Sequence, residues 1–131
     1  MCAGVPPAHR DTVLVIEDDG MLRAFYASAL MFAGYRVITA ADGVEALRLV
    51  EEEPPAAVVL DLGLPTLSGV DVARELRSRK EPHNIPIIVV TGIDAADLDE
   101  QQFPCLLRKP VSARALVEEI DRCVSRRRPH C

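Results

Sequence analysis

Five short apolar runs, TVLVI (12–16), YRVITA (35–40), AAVVL (56–60), IPIIVV (85–90) and CLLR (105–108), punctuate the chain. Most carry no polar alternation, which predicts strands buried on both faces. Between them the apolar positions recur at helical spacing. In MLRAFYASALMFAGY, residues Leu22, Phe25, Ala29 and Phe32 mark a helix face, and Gly34 supplies the stop. Asp42 with Glu45 three residues on is a capping-box variant, opening a helix through about Glu53 that is striped by Leu47 and Val50 and ended by Pro54 and Pro55. Ser68 with Asp71 repeats the signal ahead of GVDVARELRSR. Ser112 caps a last helix with Ala113, Leu116, Ile120 and Val124 inward and Arg114, Glu118, Glu119 and Arg122 outward. Five strand–helix units in succession predict an α/β fold, a parallel sheet covered on both faces with right-handed crossovers.

At 131 residues the chain reads as one domain over residues 12–126, with a loose Gly- and Pro-bearing leader at 1–11 and a short basic tail at 127–131. An aromatic fraction of 4% without Trp means that the core is aliphatic. The net charge of -5 disfavours a general nucleic-acid binder, because phosphate backbones are held by excess basic charge. Cys2, Cys105, Cys123 and Cys131 show no Cys-x-x-Cys spacing and no export signal precedes them, so they read as reduced thiols in a cytoplasmic protein. No apolar run is long enough to cross a bilayer. His9, His83 and His130 have no metal-site spacing.

In an open α/β sheet, ligands bind at the carboxyl ends of the strands. Here those ends carry Glu17, Asp18 and Asp19 after the first strand, Asp61 after the third, Thr91 and Gly92 after the fourth, and Lys109 and Pro110 after the fifth. Each residue alone is an ordinary turn former or cap. Together they are not, because several carboxylates on one edge repel unless a cation sits among them. Hard oxygen donors with no paired His or Cys point to Mg²⁺. A carboxylate beside such an ion can accept a phosphoryl group as an acyl phosphate, with Lys109 meeting a phosphoryl oxygen. Asp61 is the candidate acceptor.

The ordered set VLVIEDD, VVLDLGLPTLSG, IIVVTG and LLRKP resembles the receiver domain of two-component response regulators, over roughly residues 12–126. The resemblance implies a flavodoxin-like, doubly wound (βα)5 fold with strand order 2-1-3-4-5. It implies Asp61 as phosphoacceptor from the phosphohistidine of a sensor histidine kinase or a histidine phosphotransfer protein. It also implies Asp18 as a direct Mg²⁺ ligand, Glu17 acting through water, Gly63 ligating by its backbone carbonyl, Lys109 contacting the phosphoryl group, and Thr91 as the hydroxyl switch. Asp19 falls just outside the metal pair.

Three departures from that pattern stand out. Leu106 occupies the position where the family commonly has an aromatic switch residue. The stretch IDAADLDEQQFP is short and acidic at Asp97, Asp99 and Glu100, which predicts a stunted or frayed fourth helix. Gly63 and Ile93 carry no polar side chain beside the expected hydrolytic water, so self-dephosphorylation is expected to be slow.

The expected output is through an unknown partner protein, with no room for an output domain after Arg126; the alternative is a phosphorelay shuttle or phosphate sink. A monomer or weak homodimer is expected. In a rival class, haloacid-dehalogenase-type phosphatases use a similar Asp nucleophile but place a second Asp two residues on, where this chain has Gly63. A flavin or nucleotide carrier needs a phosphate cradle after the first strand, and EDDG repels phosphate. The chain is therefore read as a signalling domain that acts only on its own phosphorylation, not as an enzyme with a separate substrate.

Overall fold

Alternate residues of the central strands feed two separate cores. In a computed structural model, which describes residues 11–64, 67–78, 85–92 and 103–127, the elements in chain order are β1 (Thr12–Ile16), α1 (Gly20–Phe32), β2 (Arg36–Ala40), α2 (Gly43–Glu52), β3 (Ala57–Leu60), α3 (Gly69–Ser78), β4 (Ile87–Thr91), β5 (Leu106–Arg108) and α4 (Ala113–Arg127). Val13, Val15, Ala57, Val59, Ile88 and Val90 face one layer, where Tyr26 and Leu30 of α1 meet Leu116, Ile120 and Val124 of α4. Leu14, Ile16, Val58, Leu60 and Val89 face the other, against Ala46 and Val50 of α2 and Val72, Ala73 and Leu76 of α3. This two-sided burial explains why these strands lack polar alternation.

All strand pairs are parallel, as the strand–helix alternation predicts, and the order is β2-β1-β3-β4-β5, as the receiver-domain resemblance implies. β2 and β5 are the edge strands, which is why β2 mixes in the exposed Arg36 and Thr39 and β5 the exposed Arg108. Arg36 pairs with Glu53 at 3.0 Å beside that edge.

The expected caps form. Asp42 Oδ1 accepts from Glu45 N at 2.9 Å while Glu45 Oε1 accepts from Ala41 N at 3.1 Å, a reciprocal box. Ser68 and Ser112 accept from Asp71 N and Ala115 N at 3.2 and 3.0 Å. α1 ends where Gly34 takes φ 105, a left-handed turn that a side chain would strain.

Two helix faces differ from the sequence reading. On α1 the buried residues are Tyr26 and Leu30, whereas Phe25 and Phe32 are 45% and 96% exposed. The helix is apolar on both flanks, so periodicity sets the period but not the phase. On α4 the Glu119 side chain is only 13% exposed, because it sits beside the buried Ile120 and Cys123 and is folded onto Arg122. Ile93 and the acidic segment with Asp97, Asp99 and Glu100, and with it the expected stunted helix, lie outside the described residues. Among the described residues no helix is long and apolar enough to cross a membrane.

Candidate functional site

The sheet register brings the singled-out residues to one edge. Ile16 of β1 pairs with Leu60 of β3, so Glu17 and Asp61 leave adjacent strands side by side. Both extend the ladder by one residue, Glu17 N donating to Ala40 O and Asp61 N to Ile16 O, each at 3.1 Å. On the far side Thr91 pairs with Arg108, and Lys109 N donates to Thr91 O at 2.9 Å. Thr91 is fully buried at that end of β4, and Gly92 is exposed beside the Lys109 stem. The Lys109–Pro110 peptide is cis, and Pro110 is exposed.

Carboxylate oxygens of Glu17, Asp18 and Asp61 lie within 4.8 Å of one another. Asp18 is exposed, whereas Glu17 and Asp61 are 1% and 8% exposed. Lys109 Nζ bridges the two buried ones, 2.9 Å from Glu17 Oε1 and 3.3 Å from Asp61 Oδ2. Burial works against the Lys109 ammonium, but the close contact with Glu17 and the charge of Asp61 outweigh it and hold its pKa above the ordinary value. Glu17 Oε2 accepts from Asp19 N at 3.2 Å, and Asp61 Oδ1 from Gly63 N at 3.0 Å.

Asp19 has a different task. Its side chain caps α1, accepting from Leu22 N at 3.0 Å. Arg23, which the sequence reading passed over, reaches back to the carbonyls of Glu17 and Asp18 at 2.9 and 3.3 Å. A cation in the first turn of a helix opposes the helix dipole. That unfavourable placement is the signal that could have marked it as a loop clamp.

Gly69 was also missed as more than a helix start. A Cβ there would fall 2.3 Å from Leu62 Cα and 2.4 Å from Asp61 O, so the first residue of α3 lies directly against the backbone that carries the acceptor candidate. Gly63 is the opposite case: it is exposed, and its Cβ would meet only Asp61 Oδ1, at 3.7 Å. Leu106 opens β5 partly buried, packed with the buried Phe103, over whose ring the Arg77 guanidinium sits at 5.3 Å.

The three-carboxylate edge suits a divalent, oxygen-seeking cation. Its donors are all hard, and the buried Glu17 Oε1 has an ion contact to Lys109 but no hydrogen bond of good geometry. Burial, above all, pushes the Glu17 carboxyl up to about 7, with Lys109 and the Asp19 N–H pulling it down and Asp61 pushing it up. A folded pKa above the ordinary 4.5 means that the folded chain binds more protons between those two values. Metal-free stability is therefore expected to be full below about pH 4.5 as far as Glu17 is concerned, and to fall as pH rises through about 7, by on the order of 1–3 kcal/mol. Urea midpoints at pH 5 and pH 8 check this; Glu17→Gln should shrink the difference, and an equal difference in that variant would contradict the assignment.

A family model described as the response regulator receiver domain matches residues 13–121. The response regulator MprA of Mycobacterium sp. (strain KMS) is 45% identical over 83 residues, covering 63% of this chain and 35% of that protein. MprA of Mycobacterium leprae is 37% identical over 122 residues, covering 89% and 52%. The chain thus spans between about a third and a half of these curated relatives. Among solved structures, the Francisella response regulator 1452 receiver domain superposes with a TM-score of 0.81 at 26% identity, covering 90% of this chain and 99% of that one. The receiver domain of the sensor histidine kinase PA1611 from Pseudomonas aeruginosa, which has a magnesium ion coordinated in its active-site cleft, gives 0.76 at 27% identity, covering 88% and 98%. With the sheet order, the acidic edge and these matches in agreement, the chain belongs to the response regulator receiver domain family.

Proposed function

We propose that the chain is a phosphoacceptor switch whose Asp61 takes a phosphoryl group from the phosphohistidine of a sensor histidine kinase or a histidine phosphotransfer protein. The observation that carries this reading is Lys109 Nζ lying between two nearly buried carboxylates, at 2.9 Å from Glu17 and 3.3 Å from Asp61. A structural ion pair needs one carboxylate partner; two partners and a third carboxylate alongside leave an excess negative charge that suits a divalent cation, and with that cation and Lys109 the pocket suits a phosphoryl group.

Asp61 Oδ1 is held by the Gly63 N–H, which leaves Oδ2, next to Lys109, as the nucleophile. Oδ2 forms the new bond to phosphorus as the P–N bond to the imidazole breaks and the imidazole departs with the electron pair. The Lys109 ammonium follows the charge onto a phosphoryl oxygen, and the Thr91 hydroxyl and Gly92 backbone at the neighbouring strand end receive the others. Pro110 shapes the turn that presents Lys109. Asp18 and Asp61 directly, Glu17 through water and the Gly63 carbonyl would hold Mg²⁺. When bound, that ion supplies positive charge against the phosphoryl oxygens.

The donor's docking surface is the exposed side of α1. Met21, Phe25 and Phe32 are 85%, 45% and 96% exposed at spacings of four and seven residues, one stripe that starts next to the acidic loop. Phe25 and Phe32, with Ala33 of the same flank and Ala113 and Val117 of α4, line a cavity of about 620 Å³. Apolar helix faces of this kind suit a helical partner. The proposed location of this exchange is the cytoplasm, and the phosphorylated form is proposed to act on a further protein; a relay or sink role uses the same acceptor.

A phosphorylated histidine phosphotransfer protein and acetyl phosphate, offered to the same chain, test the reading. Phe25→Ala with Phe32→Ala should slow transfer from the protein donor by about tenfold and leave labelling by acetyl phosphate unchanged. Equal slowing with both donors would remove α1 as the docking face, and no labelling from either would remove the acceptor role.

A further inference from the structure

Away from the acidic edge, two thiols touch. Cys105 stands immediately before β5, its carbonyl accepting from Val89 N at 2.8 Å, and Cys123 lies in the middle of α4. Their sulfur atoms are 3.5 Å apart, across 18 residues of chain. Cys123 is buried at 6% exposure, while Cys105 is only partly covered.

A pair of core thiols that served only to fill space would both be buried. Here one opens towards solvent and the other stands directly behind it, the arrangement in which one sulfur is attacked and its neighbour resolves the product. The Glu119 carboxylate is close enough to the two sulfurs to suggest a metal site instead. Glu119 is, however, already paired with Arg122. That leaves two thiols for an ion that prefers four ligands in a closed site.

We propose that Cys105 and Cys123 are a modification site at which hydrogen peroxide closes a disulfide between the start of β5 and α4. The Cys105 thiolate attacks one peroxide oxygen, the O–O bond breaks, and Cys105 becomes a sulfenic acid as the leaving hydroxide takes up a proton to give water. The Cys123 sulfur then attacks the sulfenic sulfur; the S–O bond breaks, the Cys123 proton goes to the departing hydroxide, and a second water leaves. Two thiols are oxidised by two electrons in total and one peroxide is reduced to two waters. Closure brings the sulfurs from 3.5 Å to about 2 Å.

The order of attack follows from the surroundings. Burial first, and the adjoining Cys105 thiol second, push Cys123 up to about 12, so it carries almost no thiolate at neutral pH and is a resolving rather than an attacking group. The site sits at the amino end of β5, whereas Lys109 sits past its carboxyl end, so the inference stands independently of the phosphoacceptor reading.

The test uses the full chain carrying Cys2→Ser and Cys131→Ser, treated with hydrogen peroxide. The expected product is an intact monomer lighter by about 2 Da, with both remaining thiols refractory to iodoacetamide after unfolding and restored by dithiothreitol. Cys123→Ala should stop at a Cys105 sulfenic acid that dimedone traps, and Cys105→Ala should react at least about tenfold more slowly because only the buried thiol remains. Cys123→Ala, being apolar, keeps the core packed where Cys123→Ser would bury a hydroxyl. Free thiols after peroxide treatment, a disulfide only between chains, or Zn²⁺ retained one per chain through dialysis with the thiols then inert to peroxide would each overturn the proposal.

Discussion

Gly69→Ala is expected to lower the stability of the protein by about 3 kcal/mol and to slow phosphoryl uptake at Asp61 at least tenfold. The first effect follows from what the new methyl group would meet. Leu62 Cα at 2.3 Å and Asp61 O at 2.4 Å are backbone atoms, so no side-chain rotation relieves the clash and either the loop or α3 must move. The second follows from which loop that is. Gly69 N donates to Leu62 O at 3.0 Å, so the first turn of α3 is the support on which the segment after Asp61 rests. Displacing it shifts the carboxylate relative to Lys109 and Glu17, and reactions of positioned groups are sensitive to shifts of that size. Gly63→Ala is the control, because its Cβ would make only an ordinary contact with Asp61 Oδ1 at 3.7 Å, and its effect on stability should stay within about 0.5 kcal/mol. Urea denaturation and acetyl phosphate labelling of the two variants check both halves; a Gly69→Ala protein as stable as the wild type would show that the contact is misplaced.

Lys109→Ala should have an effect of similar size by an electrostatic route. The variant leaves Glu17 and Asp61, 1% and 8% exposed, facing one another without the ammonium between them. Removing one partner from a buried ion pair costs about 3 kcal/mol or more, because the other charge stays buried and uncompensated. The metal-free variant should show more of that loss at pH 8 than at pH 6. Glu17 already titrates near 7 with Lys109 present, and without it the carboxyl is raised further, so protonation relieves the repulsion as pH falls and the stability gap to the wild type narrows. Phosphorylation should not recover at low pH, since the group that meets the phosphoryl oxygen is gone. Thermal unfolding and labelling at pH 6 and pH 8 separate these outcomes. A gap that stays constant with pH would mean that Lys109 matters for packing rather than for charge.

The sheet was legible because its signals are local and mutually consistent. Apolar runs in β1, β3 and β4, serine and aspartate caps at α2, α3 and α4, and glycine at the end of α1 each state an element and its boundary. Parallel pairing then follows from the alternation of strands with helices, while the strand order came from the family resemblance. The edge carrying Glu17, Asp61, Thr91 and Lys109 was legible for the same reason, since strand ends are where a strand pattern stops.

What the sequence left open depends on contacts between elements. Phe25 and Tyr26 are neighbours on a helix that is apolar on both flanks, and only packing against Leu116 and Ile120 of α4 decides that Tyr26 goes in. Glu119 lies between residues that are buried, and its cover comes from Arg122 folding over it. The bridging position of Lys109, between two carboxylates rather than beside one, is set by the pairing of β5 with β4. Gly69 reads as an ordinary residue after a cap until the loop from β3 is seen to turn back against it.

The central claim is that Asp61 accepts a phosphoryl group, and intact mass after incubation with Mg²⁺ and acetyl phosphate tests it most directly. The account predicts a gain of one phosphoryl group in the wild type, none in Asp61→Asn, and none in the wild type when Mg²⁺ is withheld. A phosphoryl group retained in Asp61→Asn, or a wild type left unmodified although it binds Mg²⁺, would contradict it.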